Sequence, residues 1–176
     1  MFKDVMAIRK GQKLAQSIGI HVRDIINYLI NSDCDIGIRD TGFVLLETNA
    51  LFSFCYLIKI DLKTDLEFGI ISEIAKESLH DWLKKIWSLD LTVEQANEYS
   101  DKVIGDIKPH LIQWTKEFRT AHTEMIGKHL QEIIPIAIQK YMDDIAAIFI
   151  ETNCNYEQDK IYDMTKNNLG RLLDIK

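Results

Sequence analysis

Proline and glycine are scarce in this 176-residue chain, with two of the first and eight of the second. So few breakers argue against a linker or a disordered tail and for one folded unit over residues 1–176. The three cysteines, Cys34, Cys55 and Cys154, form no C-x-x-C pair. That scatter suits reduced thiols better than a zinc ribbon or a disulfide framework, with Cys55 as a core residue. The glycines never fall into G-x-G-x-x-G or G-x-x-x-x-G-K spacing, and no G-x-S-x-G elbow occurs, so phosphate cradles of those forms are excluded. Asp33, Asp35 and Gly37 imitate the opening of a calcium loop, but position 6 is Ile38 and position 12 is Val44. An EF-hand needs glycine and glutamate there, so a capped turn is the better reading. The amino terminus, MFKDVMAIRKGQKL, lacks a continuous apolar segment of the kind a secretory signal carries, which makes the cytoplasm the expected compartment. No stretch repeats with a solenoid period.

What the chain does have is apolar surface, 47% of its residues, concentrated at 43–62 in the run FVLLETNALFSFCYLIKIDL. A run of this kind is a helix buried on nearly every side, a pair of buried strands, or a marginal membrane span. Glu47 and Lys59 both fall inside it, and each charge near a bilayer centre costs about 2.5 to 3.5 kcal/mol. Its flanks, Arg39 and Asp40 against Asp61, Lys63 and Asp65, carry no positive-inside bias. A central core helix is therefore expected, without stable membrane insertion.

Around it the pattern is helical. Leu14, Ile18, Val22, Ile25 and Leu29 form an a/d-like stripe that stops at Asn31, Ser32 and Asp33. Thr64 with Glu67, and Thr92 with Gln95, have capping-box spacing. Phe68, Ile71, Ala75, Leu79, Trp82 and Ile86 mark the face of the helix after the first box. After the second, a stripe threads Ala96, Tyr99, Val103, Ile107, Leu111, Trp114, Phe118, Met125 and Ile133. A kink or a new helix start is expected at Pro109 and at Pro135, because proline removes a donor and crowds the preceding turn. If 93–134 were a single rod it would run about 60 Å. Ile138, Tyr141, Ile145 and Ile148 mark a further helix, and Asn155 caps a last one carrying Ile161, Met164 or Thr165, and Leu172. The expected fold is an all-α bundle of six or seven helices around 43–62.

Net charge is −6. Residues 1–32 hold five basic and two acidic side chains, whereas 67–107 hold nine acidic and four basic. The basic set comes with no nucleic-acid motif, so no nucleic-acid partner is expected. The acidic set, Asp90, Glu94, Glu98, Asp101 and Asp106, reads as a solvated helix face.

Few residues invite chemistry. Glu77 and His80 make one Glu-x-x-His pair, but a carboxylate-bridged metal centre needs a second copy, and none exists. No metal ligand, cofactor or catalytic residue is assigned. His122 and His129 fall on the side of Phe118 and Met125 and are expected to project toward the core, about 10 Å apart and too far to share an ion directly. Glu47 and Asn49 lie within the most apolar run, and a buried carboxylate must be paired, hydrogen-bonded or neutral. Its expected partners are His21, Arg23, His122, His129 and Lys59 of a neighbouring chain.

Three functional readings follow. The first is a non-enzymatic helical interaction protein, of regulatory, inhibitory, adaptor or immunity type, that binds a protein partner and self-associates as a homodimer through an exposed apolar face. The second is a bundle that holds an apolar ligand or lipid near Phe54, Trp114, His122 and Met125, with Glu47 or His129 orienting its polar end. The third is a metal- or histidine-dependent enzyme using His110, His122 or His129 with Glu47. Ile, Lys, Asn and Asp usage fits an AT-rich bacterial or phage genome.

Overall fold

The computed structural model describes residues 2–59, 65–87, 91–149, 154 and 156–175. Among them are six α-helices and no strand: α1 (Phe2–Asn31), α2 (Ile38–Lys59), α3 (Asp65–Trp87), α4 (Val93–Ala121), α5 (Leu130–Phe149) and α6 (Gln158–Leu173), with a short 3-10 turn at Thr123–Met125. The fold is an all-α bundle, as the periodicity predicts. The strand reading of the apolar run is excluded for its described part, which lies in α2. The Thr64–Glu67 box, the Asn155 cap and the Ile148 side chain lie outside the described residues.

The bundle is organised around α2. Val44, Leu45 and an unbroken series from Glu47 to Tyr56 are buried, because α1, α4, α5 and α6 all pack against this helix. A helix enclosed by neighbours needs no polar face, which is why its sequence shows no stripe. Among the described residues it is the one helix long and apolar enough to cross a membrane, and 72% of its most apolar window is buried inside the protein. That apolar surface is already covered by the other helices.

α1 contributes Leu14, Ile18, Val22, Ile25 and Leu29, all buried as the stripe requires. It ends in a Schellman turn, with Asp33 in the left-handed region at φ 58° and the Cys34 amide donating to Leu29 O at 3.0 Å. α1 then lies close against α3. A Cβ at Gly11 would stand 2.8 Å from Ile74 Cβ and 2.9 Å from Ile71 O, so only glycine permits this approach. The buried face of α3 is Ile71, Ala75, Leu79, Leu83 and Trp87. Trp82 and Ile86 are its partly buried border, Trp82 covering Gly19 of α1. The expected face is thus rotated slightly at its C-terminal end.

α4 starts from the expected box: Thr92 Oγ1 accepts from the Gln95 amide, and the Gln95 side chain accepts from the Thr92 amide. The helix runs unbroken through Pro109, and Pro135 likewise lies inside α5. The single rod over 93–134 does not exist. The chain leaves the helix at His122, passes through the 3-10 turn, and reverses at Gly127, whose φ of +80° suits glycine alone. One core cluster draws buried side chains from all six helices.

The cysteines depart from expectation. Cys34, just after α1, and Cys154, ahead of α6, form a disulfide with their Cα atoms 4.8 Å apart, while Cys55 is a free, buried thiol. Sequence spacing cannot show this pairing, because 120 residues separate the two positions. Closing so long a loop removes much unfolded-chain entropy. Reduction, or Cys34→Ser, is expected to lower the unfolding free energy by about 2 to 4 kcal/mol. Urea denaturation with and without dithiothreitol measures this, and coincident midpoints would show that the two thiols are not joined in solution.

Candidate functional site

Two polar clusters inside the bundle and one cleft on its surface account for the residues singled out by sequence. The first cluster is centred on His21 of α1, fully buried and stacked on Phe52 with ring centroids 5.1 Å apart. Asn168 Nδ2 of α6 lies 3.2 Å from His21 Nδ1 and 3.2 Å from Asp24 Oδ2. An amide nitrogen can only donate, so Nδ1 accepts and the ring proton sits on Nε2. That Nε2 faces Tyr141 Oη of α5 at 3.1 Å and Thr165 Oγ1 of α6 at 3.3 Å. Thr165 spends its own proton on Ile161 O at 2.7 Å, and Tyr141 Oη shares a hydrogen bond with Thr48 Oγ1 of α2 at 3.1 Å. Four helices are thereby joined through neutral groups. Burial drives the His21 pKa from 6.5 down to about 3, against the opposing charge of Asp24. Sequence reasoning placed His21 only among the candidate partners of Glu47. The clue it could have used is the position of His21 on the same α1 face as Ile18 and Ile25.

The second cluster surrounds Glu47 of α2, also buried. Its partner is His110 of α4, with Nε2 2.9 Å from Glu47 Oε1, although the pair is out of hydrogen-bond alignment and Glu47 Oε2 has no donor. None of the five partners expected to neutralise Glu47 is the one found; His110, set beside Glu47 only in the enzyme reading, lies on the α4 side that meets α2. Asp144 of α5 adjoins Glu47 and receives Trp114 Nε1 at 3.1 Å and Lys140 Nζ at 2.9 Å. Burial raises its pKa from 3.8 to about 6; Lys140 opposes this, while the Glu47 charge adds to it. Lys140 also reaches Glu117 at 3.3 Å and stands 5.2 Å over the Trp114 ring. Asn49, the other polar residue of the run, accepts from Ser53 Oγ at 3.3 Å.

The cleft lies at the corner where α4 turns into α5. It encloses about 330 Å³ and is lined by Phe54, Phe118, His122, Met125 and Ile133, with Arg119 and Lys128 at its edge. Three of the six sequence-selected residues, Phe54, His122 and Met125, therefore meet. Trp114 lies one layer below, stacked on Phe118 at 5.7 Å with ring planes 6° apart, and its indole N–H joins the cleft wall to Asp144. Glu47 belongs to the buried cluster. His129 is exposed, and its amide is capped by Glu132 Oε1 at 3.3 Å. The expectation that both imidazoles enter the core fails because the helix carrying His122 ends before His129, which removes the common helical phase. Glu77 does not pair with His80 as a metal site; His80 Nε2 binds Asp101 Oδ1 of α4 at 2.6 Å. Among the described residues no group of three or more His, Cys, Asp or Glu side chains is arranged to hold a metal.

The two buried clusters titrate with opposite sign. Unfolded His21 takes a proton near 6.5 and the folded ring resists it to about 3, so its contribution is present above pH 6.5 and lost as pH falls. Folded Asp144 keeps its proton to about 6 against 3.8, so its contribution is present below pH 3.8 and lost as pH rises through 6. Between pH 4 and 6 the two slopes cancel. Asp144→Asn removes one of them, and its stability is expected to fall with acid more steeply than the parent's, by up to ~1.4 kcal/mol per pH unit. Urea titrations at pH 4, 5 and 6 decide this; parallel profiles would show that Asp144 holds no proton there. No family model, curated protein or solved structure matches this chain.

Proposed function

We propose that this is a non-enzymatic interaction protein that receives an acidic amphipathic helix of a partner protein in the open groove between the C-terminal halves of α2 and α4. The observation that carries the reading is Ile112, 60% exposed on a helix whose opposite face is core. It lies with Leu57 and Leu111 in a groove of about 650 Å³. Lys116 and Arg119 border the groove, and neither makes an ion pair among the described residues. No acidic side chain lines it among those residues. On a chain of net charge −6 this is a local reversal of sign. Apolar surface flanked by unpaired cations suits an occupant with leucine-like anchors at i, i+3 and i+7 and carboxylates beside them.

His21 supports the same reading, since both of its ring nitrogens are engaged in holding helices together. The Cys34–Cys154 bond supports an oxidising compartment over the cytoplasm expected from sequence, because cytosolic thiol systems keep such pairs reduced.

The test uses a fluorescein-labelled helical peptide of leucine and glutamate, with a leucine and lysine peptide as control, titrated by anisotropy. Ile112→Asp and Lys116→Glu are each expected to weaken binding of the acidic peptide at least tenfold while leaving the circular dichroism unchanged. Equal affinity for both peptides, or variants that bind like the parent, overturns the proposal. A dimer in sedimentation that Ile112→Asp dissociates would instead make a second copy the occupant.

A further inference from the structure

The α4–α5 corner carries a separate site. We propose that the cleft between Phe54, Phe118, Met125 and Ile133 binds a small apolar monocarboxylate, with its tail among these side chains and its carboxylate on Arg119. The cleft shares Arg119 with the docking groove, but Phe54, Phe118, Met125 and Ile133, which set its tail, are no part of that groove.

The lining sets the tail. Phe54 and Phe118 pack at 4.9 Å between centroids and form an aromatic floor, backed by Trp114. Met125 supplies a flexible, polarisable wall of the kind that adapts to alkyl chains. The cleft, about 330 Å³, is at the small end of ligand pockets. At ~30 Å³ per water-sized group it takes a chain of about ten non-hydrogen atoms.

The edge sets the head group. Three basic side chains ring the cleft, and two of them have acidic partners: His122 Nδ1 faces Glu124 Oε1 at 3.6 Å, and Lys128 Nζ faces Glu132 Oε2 at 3.6 Å. Arg119 has no ion pair or hydrogen bond from its side chain among the described residues. A guanidinium offers a carboxylate two parallel N–H donors, a geometry that an ammonium cannot supply. The nearby Glu124 and Glu132 disfavour a dianionic head and leave a monoanion as the fitting charge. The ring of His122, packed on Phe118 at 5.0 Å, closes the cleft beside Arg119. Glu47 and His129, the groups expected to orient a ligand, stand in the interior and on the exposed surface respectively.

Isothermal titration with decanoate below its micelle concentration tests this, with decylamine as the charge-reversed control. The expected result is saturable 1:1 binding of decanoate, weakened at least tenfold by Arg119→Gln and abolished by Met125→Trp, which fills the cleft. Both positions are partly or fully exposed, so the variants are expected to melt with the parent. Three results would overturn the proposal: no saturable heat with decanoate, equal binding of decylamine, or full affinity retained in Met125→Trp. Lys116→Glu serves as an internal control, because it alters the groove and leaves the cleft intact; a loss of decanoate binding there as large as in Arg119→Gln would also count against the site.

Discussion

Enclosing α2 on its sides obliges every polar group it carries to find a partner on another helix or within its own turn. Leaving one unsatisfied costs about 1 to 3 kcal/mol, and more where charge is involved. Thr48 meets this through Tyr141 and Asn49 through Ser53, whereas Glu47 stands 2.9 Å from His110 without a hydrogen bond and its Oε2 is unpartnered among the described residues. The Thr48–Tyr141 bond fixes the rotation and the axial position of α2 against α5, which apolar packing alone leaves loosely specified. Through Tyr141 the constraint passes to His21, and from His21 to Asn168 and Thr165. Four helices, α1, α2, α5 and α6, are therefore held in one register by a connected set of side chains, and the aliphatic core fills the space that this register defines.

The two buried clusters solve the burial of titratable groups in different ways. His21 stays neutral because both ring nitrogens are used, one accepting and one donating, in a site where a positive charge has lost its water. The carboxyl pair is less complete: Glu47 Oε2 has no hydrogen-bond partner among the described residues, and burial beside the Glu47 charge raises the pKa of Asp144 to about 6. That gives the α2–α4–α5 interface a group that changes charge near pH 6, close to Trp114 and hence one aromatic layer from the surface cleft.

The same corner explains why the surface differs there from the rest of the molecule. α4 ends at Ala121 and α5 begins at Leu130, so the intervening residues cross the end of α2 without the cover that a continuing helix would give. Ile126 is left 69% exposed, and the aromatic pair Phe54–Phe118 is reached from outside. Basic residues gather on this edge while the acidic excess lies mainly elsewhere in the chain.

The sequence by itself determined the helical class, the C-terminal end of α1 and the start of α4, and the burial of the central part of the 43–62 run. Those features depend on neighbours three or four residues apart, on capping side chains and on total apolar content, all of which are local. It also indicated that Glu47 needs a partner and that Phe54, His122 and Met125 belong together. Only the tertiary structure decided that His110, of the three histidines set beside Glu47, is the one that meets it and that Asp144 joins them, that His21 is the hub of a network, that Cys34 meets Cys154, and that His129 faces solvent. Each of those outcomes depends on helix rotation and on a chain reversal at Gly127. Residues 60 to 150 positions apart come together only after the helices have packed, and no spacing along the chain records which faces will meet.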